Sequence, residues 1–298
     1  MCGIVGLFLK NKVLAPQLGA LTAQMLQVMS ERGPDSAGFA VYGMGAPGTV
    51  KLTLRADEET AAHLAIAFAG RFSIPAELTR RGSHAVLVVP DMLETEVRFW
   101  LQAEHPGIHL VGSGRRMELY KDVGLPGDVA ARFGLDVMTG THAIGHTRMA
   151  TESSVTTDGA HPFSTGLDQC LVHNGSLSNH NAVRRMLRHE GLSFETENDS
   201  EVAAGYLTWR MREGASLKQA LTDSLDALDG FYTFVVGTES GFGVLRDPIA
   251  CKPAVMAETD DYVAFGSEYR ALVGLPGIEK AHLFEPEPGK VYFWERAA

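Results

Sequence analysis

The sequence predicts an α+β fold, and three observations carry the prediction. Strand-like runs crowd the chain from Thr141 onward, helical segments fall between them in blocks, and 45% of the 298 residues are hydrophobic. That content can bury the core of one large domain or two ordinary ones. Strands and helices in separate blocks point to antiparallel sheets under helical layers, since βαβ winding needs strict alternation.

Taken in order, Ile4–Leu9 is a short apolar run, and Leu18, Leu21, Met25, Val28 and Met29 recur at helical spacing. Glu31-Arg32-Gly33-Pro34-Asp35 ends that helix, because Gly-Pro cannot continue it, and Gly38–Tyr42 restarts an extended segment. Residues 49–121 read as a separate small α+β unit inserted between residues 2–48 and 122–298. In it, Thr49–Leu54, His84–Val89 and Met117–Tyr120 are strand-like, while Glu58–Ala69 and Met92–Ala103 are helical, which suggests a small sheet with two helices on one face.

Beyond Thr141 the predicted strands are His142–His146, Gln169–His173, Tyr232–Gly237, Phe242–Arg246, Ala254–Ala257, Tyr262–Phe265 and Val291–Trp294. Three helices lie among them. Asn181–Arg188 has Ser178 as its cap and Gly191 as its stop, Ser200–Arg212 follows Asn198-Asp199, and Leu217–Leu228 follows Ser216 with Gln219 completing a capping box.

Composition excludes several classes. The net charge of −10 opposes binding to a phosphate backbone, so no nucleic-acid partner is expected. No apolar run approaches the roughly 18–20 residues that span a bilayer, so no membrane partner is expected. MCGIVGLFLKNK lacks a basic leader and a small-residue cleavage site, so no signal peptide is read. Cys2, Cys170 and Cys251 cannot build a disulfide framework, which fits a reducing, cytoplasmic setting.

Two patterns tempt and fail. Gly43–Gly48 matches G-x-G-x-x-G, but a dinucleotide fingerprint must open a helix, and the strand-like Thr49–Leu54 follows; a flexible hairpin is expected. His142 and His146 are four apart, yet on a strand that spacing spans about 13 Å, too far to share a metal ion. No metal and no cofactor is expected on this chain.

Cys2 stands behind an initiator methionine, whose removal would leave a thiol and a free α-amine on one residue. An α-amine titrates near 7.7–8.0, and a nucleophile with its own general base is a known arrangement. Alone, the position reads equally as a chance cysteine at the head of a buried strand. Context reverses that. Cys2-Gly3-Ile4-Val5-Gly6, Arg32-Gly33-Pro34-Asp35-Ser36, Gly145-His146-Thr147-Arg148-Met149-Ala150-Thr151, His173-Asn174-Gly175 and Asn198-Asp199-Ser200-Glu201 follow one another in this order. Together, over roughly residues 2–44 and 138–275, they resemble the class II glutamine amidotransferases, whose glutaminase domains are N-terminal nucleophile (Ntn) hydrolases.

The resemblance implies a four-layer αββα sandwich with Cys2 at the start of a central strand. It assigns Cys2 as nucleophile, Asn174 (side-chain amide) and Gly175 (backbone N–H) as oxyanion donors, and Arg32 as the residue orienting the nucleophile. Arg148 would hold the glutamine carboxylate, a task its planar fork suits, with Thr151 assisting. Asp199 would bind the α-ammonium, although Asp there also suits a helix N-cap. Departures occur at Met149, where many relatives have Trp, and Glu152, where many have His. The stretch Glu152–Gly159 matches a segment that closes over glutamine, so Glu152 and His161 are expected on a lid.

Free ammonia is mostly protonated at neutral pH, and the residues after 275 are too few for a synthase domain. The acceptor site is therefore expected on another chain. GHTRMATES, with Tyr120-Lys121-Asp122-Val123-Gly124 before it, looks most like stand-alone amidotransferase subunits related to glutamate synthase, such as the N-methylglutamate synthase small subunit. That resemblance implies L-glutamine as substrate and a separate flavin- and iron–sulfur-bearing synthase subunit as partner. The alternatives are an Ntn amidohydrolase acting on another amide, which would not need the Arg148–Asp199 clamp, and a non-catalytic regulatory subunit, which would not need Cys2.

Overall fold

The computed structural model describes residues 2–150 and 154–296. The strands are β1 (Gly3–Leu9), β2 (Ser36–Tyr42), β3 (Thr49–Arg55), β4 (Glu77–Arg81), β5 (His84–Pro90), β6 (His109–Gly114), β7 (Met117–Val123), β8 (His142–Arg148), β9 (Phe163–Gly166), β10 (Gln169–Leu177), β11 (Gly230–Gly237), β12 (Gly241–Arg246), β13 (Val255–Glu258), β14 (Tyr262–Gly266), β15 (His282–Phe284) and β16 (Val291–Glu295). The helices are α1 (Leu18–Val28), α2 (Glu58–Phe72), α3 (Glu94–Glu104), α4 (Pro126–Phe133), α5 (His180–His189), α6 (Asp199–Arg212) and α7 (Leu217–Ala227).

These strands form three sheets. The seven-stranded sheet runs β15-β13-β14-β1-β8-β2-β7, the five-stranded sheet β16-β12-β11-β10-β9, and the four-stranded sheet β4-β5-β3-β6. Every residue of β1 is buried, as a strand flanked on both edges and covered on both faces must be. Its alternate side chains serve two cores. Val5, Leu7 and Leu9 pack with Leu21, Met25 and Leu26 of α1 and Phe133 of α4. Ile4 and Phe8 pack with Val172, Val235 and Phe242 of the five-stranded sheet. The sheets approach so closely at Gly6 that a Cβ there would lie 2.6 Å from the Phe242 ring. The far face of the five-stranded sheet is covered by α5, α6 and α7 through Leu187, Val202, Leu207 and Leu221.

The four-stranded sheet splits its residues by the two-residue strand period. Val50, Leu52 and Leu54 of β3 pack with Leu64 and Phe68 of α2 and with Val97 and Trp100 of α3. Lys51, Thr53 and Arg55 point the other way. Lys51 pairs with Glu118 at 2.7 Å, the Leu119 N–H donates to Thr53 Oγ1 at 3.4 Å, and Arg55 reaches Asp158.

Several expectations change. Met117–Val123 pairs with β2, so residues 117–121 belong to the seven-stranded sheet and the small sheet ends at Gly114. Gly43–Gly48 is no hairpin, because β2 and β3 lie in different sheets. Strands β4, β6, β9 and β15 and helix α4 were not expected from the sequence; β4 carries the polar run Glu77–Arg81 and β6 carries two glycines, which hide the alternation. The cap of α5 is Asn179 rather than Ser178, and the cap of α6 is Asn198, whose side chain accepts from the Ser200 N–H. Ser216 does cap α7, accepting from the Gln219 N–H.

Candidate active site

Cys2 sits, half-buried, at the head of β1. The ladder pairs Gly3 with Thr147, so one step further Cys2 falls beside Arg148 at the end of β8. On the other side of β8, Arg148 pairs with Ser36, the residue after the Arg32–Asp35 turn. Antiparallel register thus gathers three of the sequence motifs at one sheet edge. The turn is locked against β8, since a Cβ on Gly33 would lie 2.3 Å from the Thr147 carbonyl carbon. Asp35 finishes the lock. Its N–H donates to the Arg148 carbonyl at 3.1 Å, and its carboxylate accepts from the Ala150 N–H at 2.8 Å.

Two side chains hold the Cys2 carbonyl. Arg32 Nε donates to it at 3.0 Å and Asn174 Nδ2 at 3.3 Å. Arg32 is 8% exposed, and such a buried guanidinium needs a counter-charge. Glu268 supplies one at 2.6 Å. The Arg32 hydrogen bond, aided by Arg270, holds the Glu268 carboxyl below the usual carboxylate range. Ser267 ties the same segment to β1, accepting from the Ile4 N–H and donating to the Ile4 carbonyl, each at 2.9 Å.

Asn174 and Gly175 lie inside β10 and form no turn. Gly175 touches the neighbouring strand so closely that a Cβ would sit 2.0 Å from the Phe231 carbonyl oxygen, so no other residue fits. Asp199, first residue of α6, accepts from the Leu177 N–H at 2.9 Å and from Ser200 Oγ at 3.3 Å. Ser200 Oγ also bonds His173 Nδ1 at 2.8 Å. Burial lowers the pKa of the His173 imidazole, against the pull of Asp199 3.8 Å away.

A cleft of about 760 Å3 opens over these groups, lined by Cys2, Arg148, Gly175, Asp199, Phe231 and Lys252 among others. It carries charges of both signs. Arg148 and Lys252 supply cations, while Asp158, Glu195, Glu197 and Asp199 supply anions. A second cavity of about 570 Å3 shares only Asp158, Glu195 and Thr196 with the cleft and contains no cysteine.

Thr151 and Glu152 lie outside the described residues. His161 lines the cleft but is 5% exposed; its ring stacks 4.0 Å from His146, and burial lowers its pKa well below the usual imidazole value. Burial likewise pushes His146 down to about 3. His142 and His146 bond the carbonyls of Thr238 and His173 respectively, and no group of metal-ligating side chains occurs among the described residues. Cys170 is buried between the sheets, where burial pushes its thiol up to about 12, and Cys251 is exposed outside the cleft lining. No helix among the described residues is long and apolar enough to cross a membrane.

Sequence reasoning did not single out Glu268, Ser267, Ser200 or Lys252. Ser267-Glu268 directly follows the apolar strand β14, where a polar pair reads as an ordinary surface turn. Its contacts with Ile4 and Arg32 lie 263 and 236 residues away along the chain and leave no local signal.

Residues 146–274 match the glutamine amidotransferase domain model. The chain is 60% identical, over 99% of its length and 98% of the relative's, to the glutamine amidotransferase-like protein GlxB of Rhizobium meliloti (strain 1021). It is 32% identical, over 98% of its length, to a Methanothermobacter thermautotrophicus protein of which it covers 99%. The fold resembles glutamine phosphoribosylpyrophosphate amidotransferase from B. subtilis, with a TM-score of 0.62 and 21% identity over 99% of this chain. The chain spans about half of that solved structure, 47% of its length. This protein belongs to the class II glutamine amidotransferase family.

Proposed function

We propose that this chain is a glutaminase subunit that hydrolyses the side-chain amide of L-glutamine through Cys2 and delivers ammonia to a separate synthase chain. One observation carries the reading: Asn174 Nδ2 lies 3.3 Å from the Cys2 carbonyl, so an amide donor from one sheet meets the nucleophile-bearing residue of the other.

Loss of Met1 frees the Cys2 α-amine. The Cys2 sulfur, its proton passed to that amine, attacks the glutamine amide carbon. The carbon–oxygen π pair moves onto oxygen, where the Asn174 amide and Gly175 N–H receive it. An Asn amide carries two hydrogens, so one can serve the oxyanion while the other keeps Cys2. The α-amine returns the proton to the leaving nitrogen, and ammonia departs with the C–N bond. Water adds to the thioester, the carbon–sulfur bond breaks, and glutamate leaves. Arg148 holds the substrate carboxylate and Asp199 the ammonium, with Thr151 assisting at the carboxylate and Glu152 on the closing segment. Arg32 fixes the nucleophile's backbone.

The succession of helices, seven-stranded sheet, five-stranded sheet and helices supports reading the body as the four-layer αββα sandwich of Ntn hydrolases, with the four-stranded sheet inserted. The motif wording GHTRMATES supports a glutamate synthase-like partner bearing flavin and iron–sulfur centres. Co-purification of the full chain with a flavin-absorbing protein tests that part; a chain that purifies alone and turns over glutamine at full rate refutes it.

Intact mass with and without an electrophilic glutamine analogue tests the chemistry. The expected result is a chain lacking Met1 with one adduct on Cys2, and no glutamate formation by Cys2→Ser. Retained Met1, or an adduct at Cys251 instead, overturns the reading.

A further inference from the structure

The segment 154–160 forms one wall of the cleft, and its other side is fastened from outside the active site. Arg148 Nη1 lies 3.4 Å from the Ser154 carbonyl. Gly159 packs so near that a Cβ there would be 3.3 Å from the same nitrogen. Behind the wall, Lys121 Nζ of β7 donates to the Asp158 and Ala160 carbonyls at 3.0 and 2.9 Å. Thr157 Oγ1 donates to Asp122 at 2.9 Å. Arg55 of β3 meets both carboxylate oxygens of Asp158, at 2.9 and 3.0 Å. Lys121 is 7% exposed, and Arg55 is the last residue on the face of β3 turned away from its helices. A buried ammonium spent on two loop carbonyls, and an ion pair spanning 103 residues, fix a stretch that has no strand or helix of its own.

We propose that Arg55 of the four-stranded sheet and Lys121 of the seven-stranded sheet are positioning residues that hold Arg148 through the segment 154–160 and so set the grip on the substrate carboxylate. The inference rests on Arg148 being the carboxylate clamp, and it gives the small sheet a task in glutamine selection. Displacing the wall moves the guanidinium relative to Cys2, and displacements of about 1 Å can cost up to about 10²-fold when they misplace a substrate.

The test compares glutamine with 4-aminobutanamide, the same amide without its carboxylate, in wild type, Arg148→Ala, Arg55→Ala and Arg55→Lys. The proposal expects Arg55→Ala to raise the glutamine KM by roughly tenfold and leave kcat within about twofold. The preference for glutamine over 4-aminobutanamide should fall as it does in Arg148→Ala, and Arg55→Lys should restore both. Asp158→Asn gives a second reading of the same contact without touching the small sheet, since its side chain is 47% exposed. It should act in the same direction, and combining it with Arg55→Ala should add nothing. An unchanged glutamine KM in both variants, or equal losses on the two amides, overturns the proposal. If Arg148→Ala itself leaves the KM unchanged, the clamp reading falls instead.

Discussion

Arg32 and Glu268, 236 residues apart, form a 2.6 Å ion pair that presses the guanidinium against the carbonyl of Cys2. The backbone of Cys2, the proposed nucleophile, is thereby fixed from a turn and from the end of β14 at once. Arg32→Ala should lower kcat by up to about 10²-fold with little change in KM, since substrate groups are untouched. Arg32→Lys should not recover it, because one ammonium cannot replace a fork that serves two partners. Steady-state glutaminase kinetics and the rate of Cys2 alkylation read both effects. Glu268, held below its ordinary range, contributes its share above that range and loses it as pH falls through the depressed value. The Arg32 effect should therefore be constant from about pH 6 to 8.

Asn174→Ala removes the proposed oxyanion donor, a loss that typically costs about 2.7–4 kcal/mol in the barrier. The expectation is a fall in kcat of about 10²–10³-fold with a small change in KM. Alkylation at Cys2 by an electrophile that forms no oxyanion should be much less affected. Equal losses in both assays would instead mark Asn174 as a structural tie to Cys2.

Gly175→Ala forces a methyl into the Phe231 carbonyl at 2.0 Å. Overpacking of this kind costs about 1–3 kcal/mol, so the thermal midpoint should fall by several degrees. Activity should fall further than the melt explains, because the strand that moves also carries Asn174.

Asp199→Asn should raise the KM for glutamine and spare the fold, since the amide oxygen can still accept from Leu177 N–H. A thermal melt close to wild type, paired with an unchanged KM, would remove Asp199 from the ammonium site.

Acid should destabilise the protein through its buried histidines. Burial lowers His84 to about 4 and His142 to about 3. The unfolded chain takes up their protons as pH drops below about 6.5 while the folded chain does not. Stability is complete above that value and is lost progressively down to the folded pKa. Denaturant titrations at pH 7 and 5 should show the loss, about 2 kcal/mol per such histidine as an upper figure. His84→Phe should shallow the slope, because it removes one titrating ring whose Nε2 has no partner among the described residues. An unchanged slope would show that His84 does not contribute.

The motifs around Cys2, Arg32, Arg148, Asn174 and Asp199 were legible because each is a short string tied to a local backbone task. Gly33 must approach β8, Gly175 must approach β11, and Asn198 must cap α6. Long apolar strands were legible for the same reason. Relations between distant segments were not. Glu268 carries no mark of its pairing with Arg32, and Arg55 reads as the polar end of an amphipathic strand. The split of residues 49–121 between two sheets was hidden because Met117–Val123 looks the same whichever neighbour it pairs with. The stacking of His161 on His146 was hidden too, because a histidine in a polar stretch gives no sign of its ring's neighbour.

Chain starts ordinarily fray first. Here β1 runs between β14 and β8 with all seven residues buried. Its amides should therefore be among the slowest to exchange with deuterated solvent, opening only when the whole body unfolds. The proposed nucleophile at its head inherits that stillness, and any motion that admits glutamine or releases glutamate must come from the walls facing it.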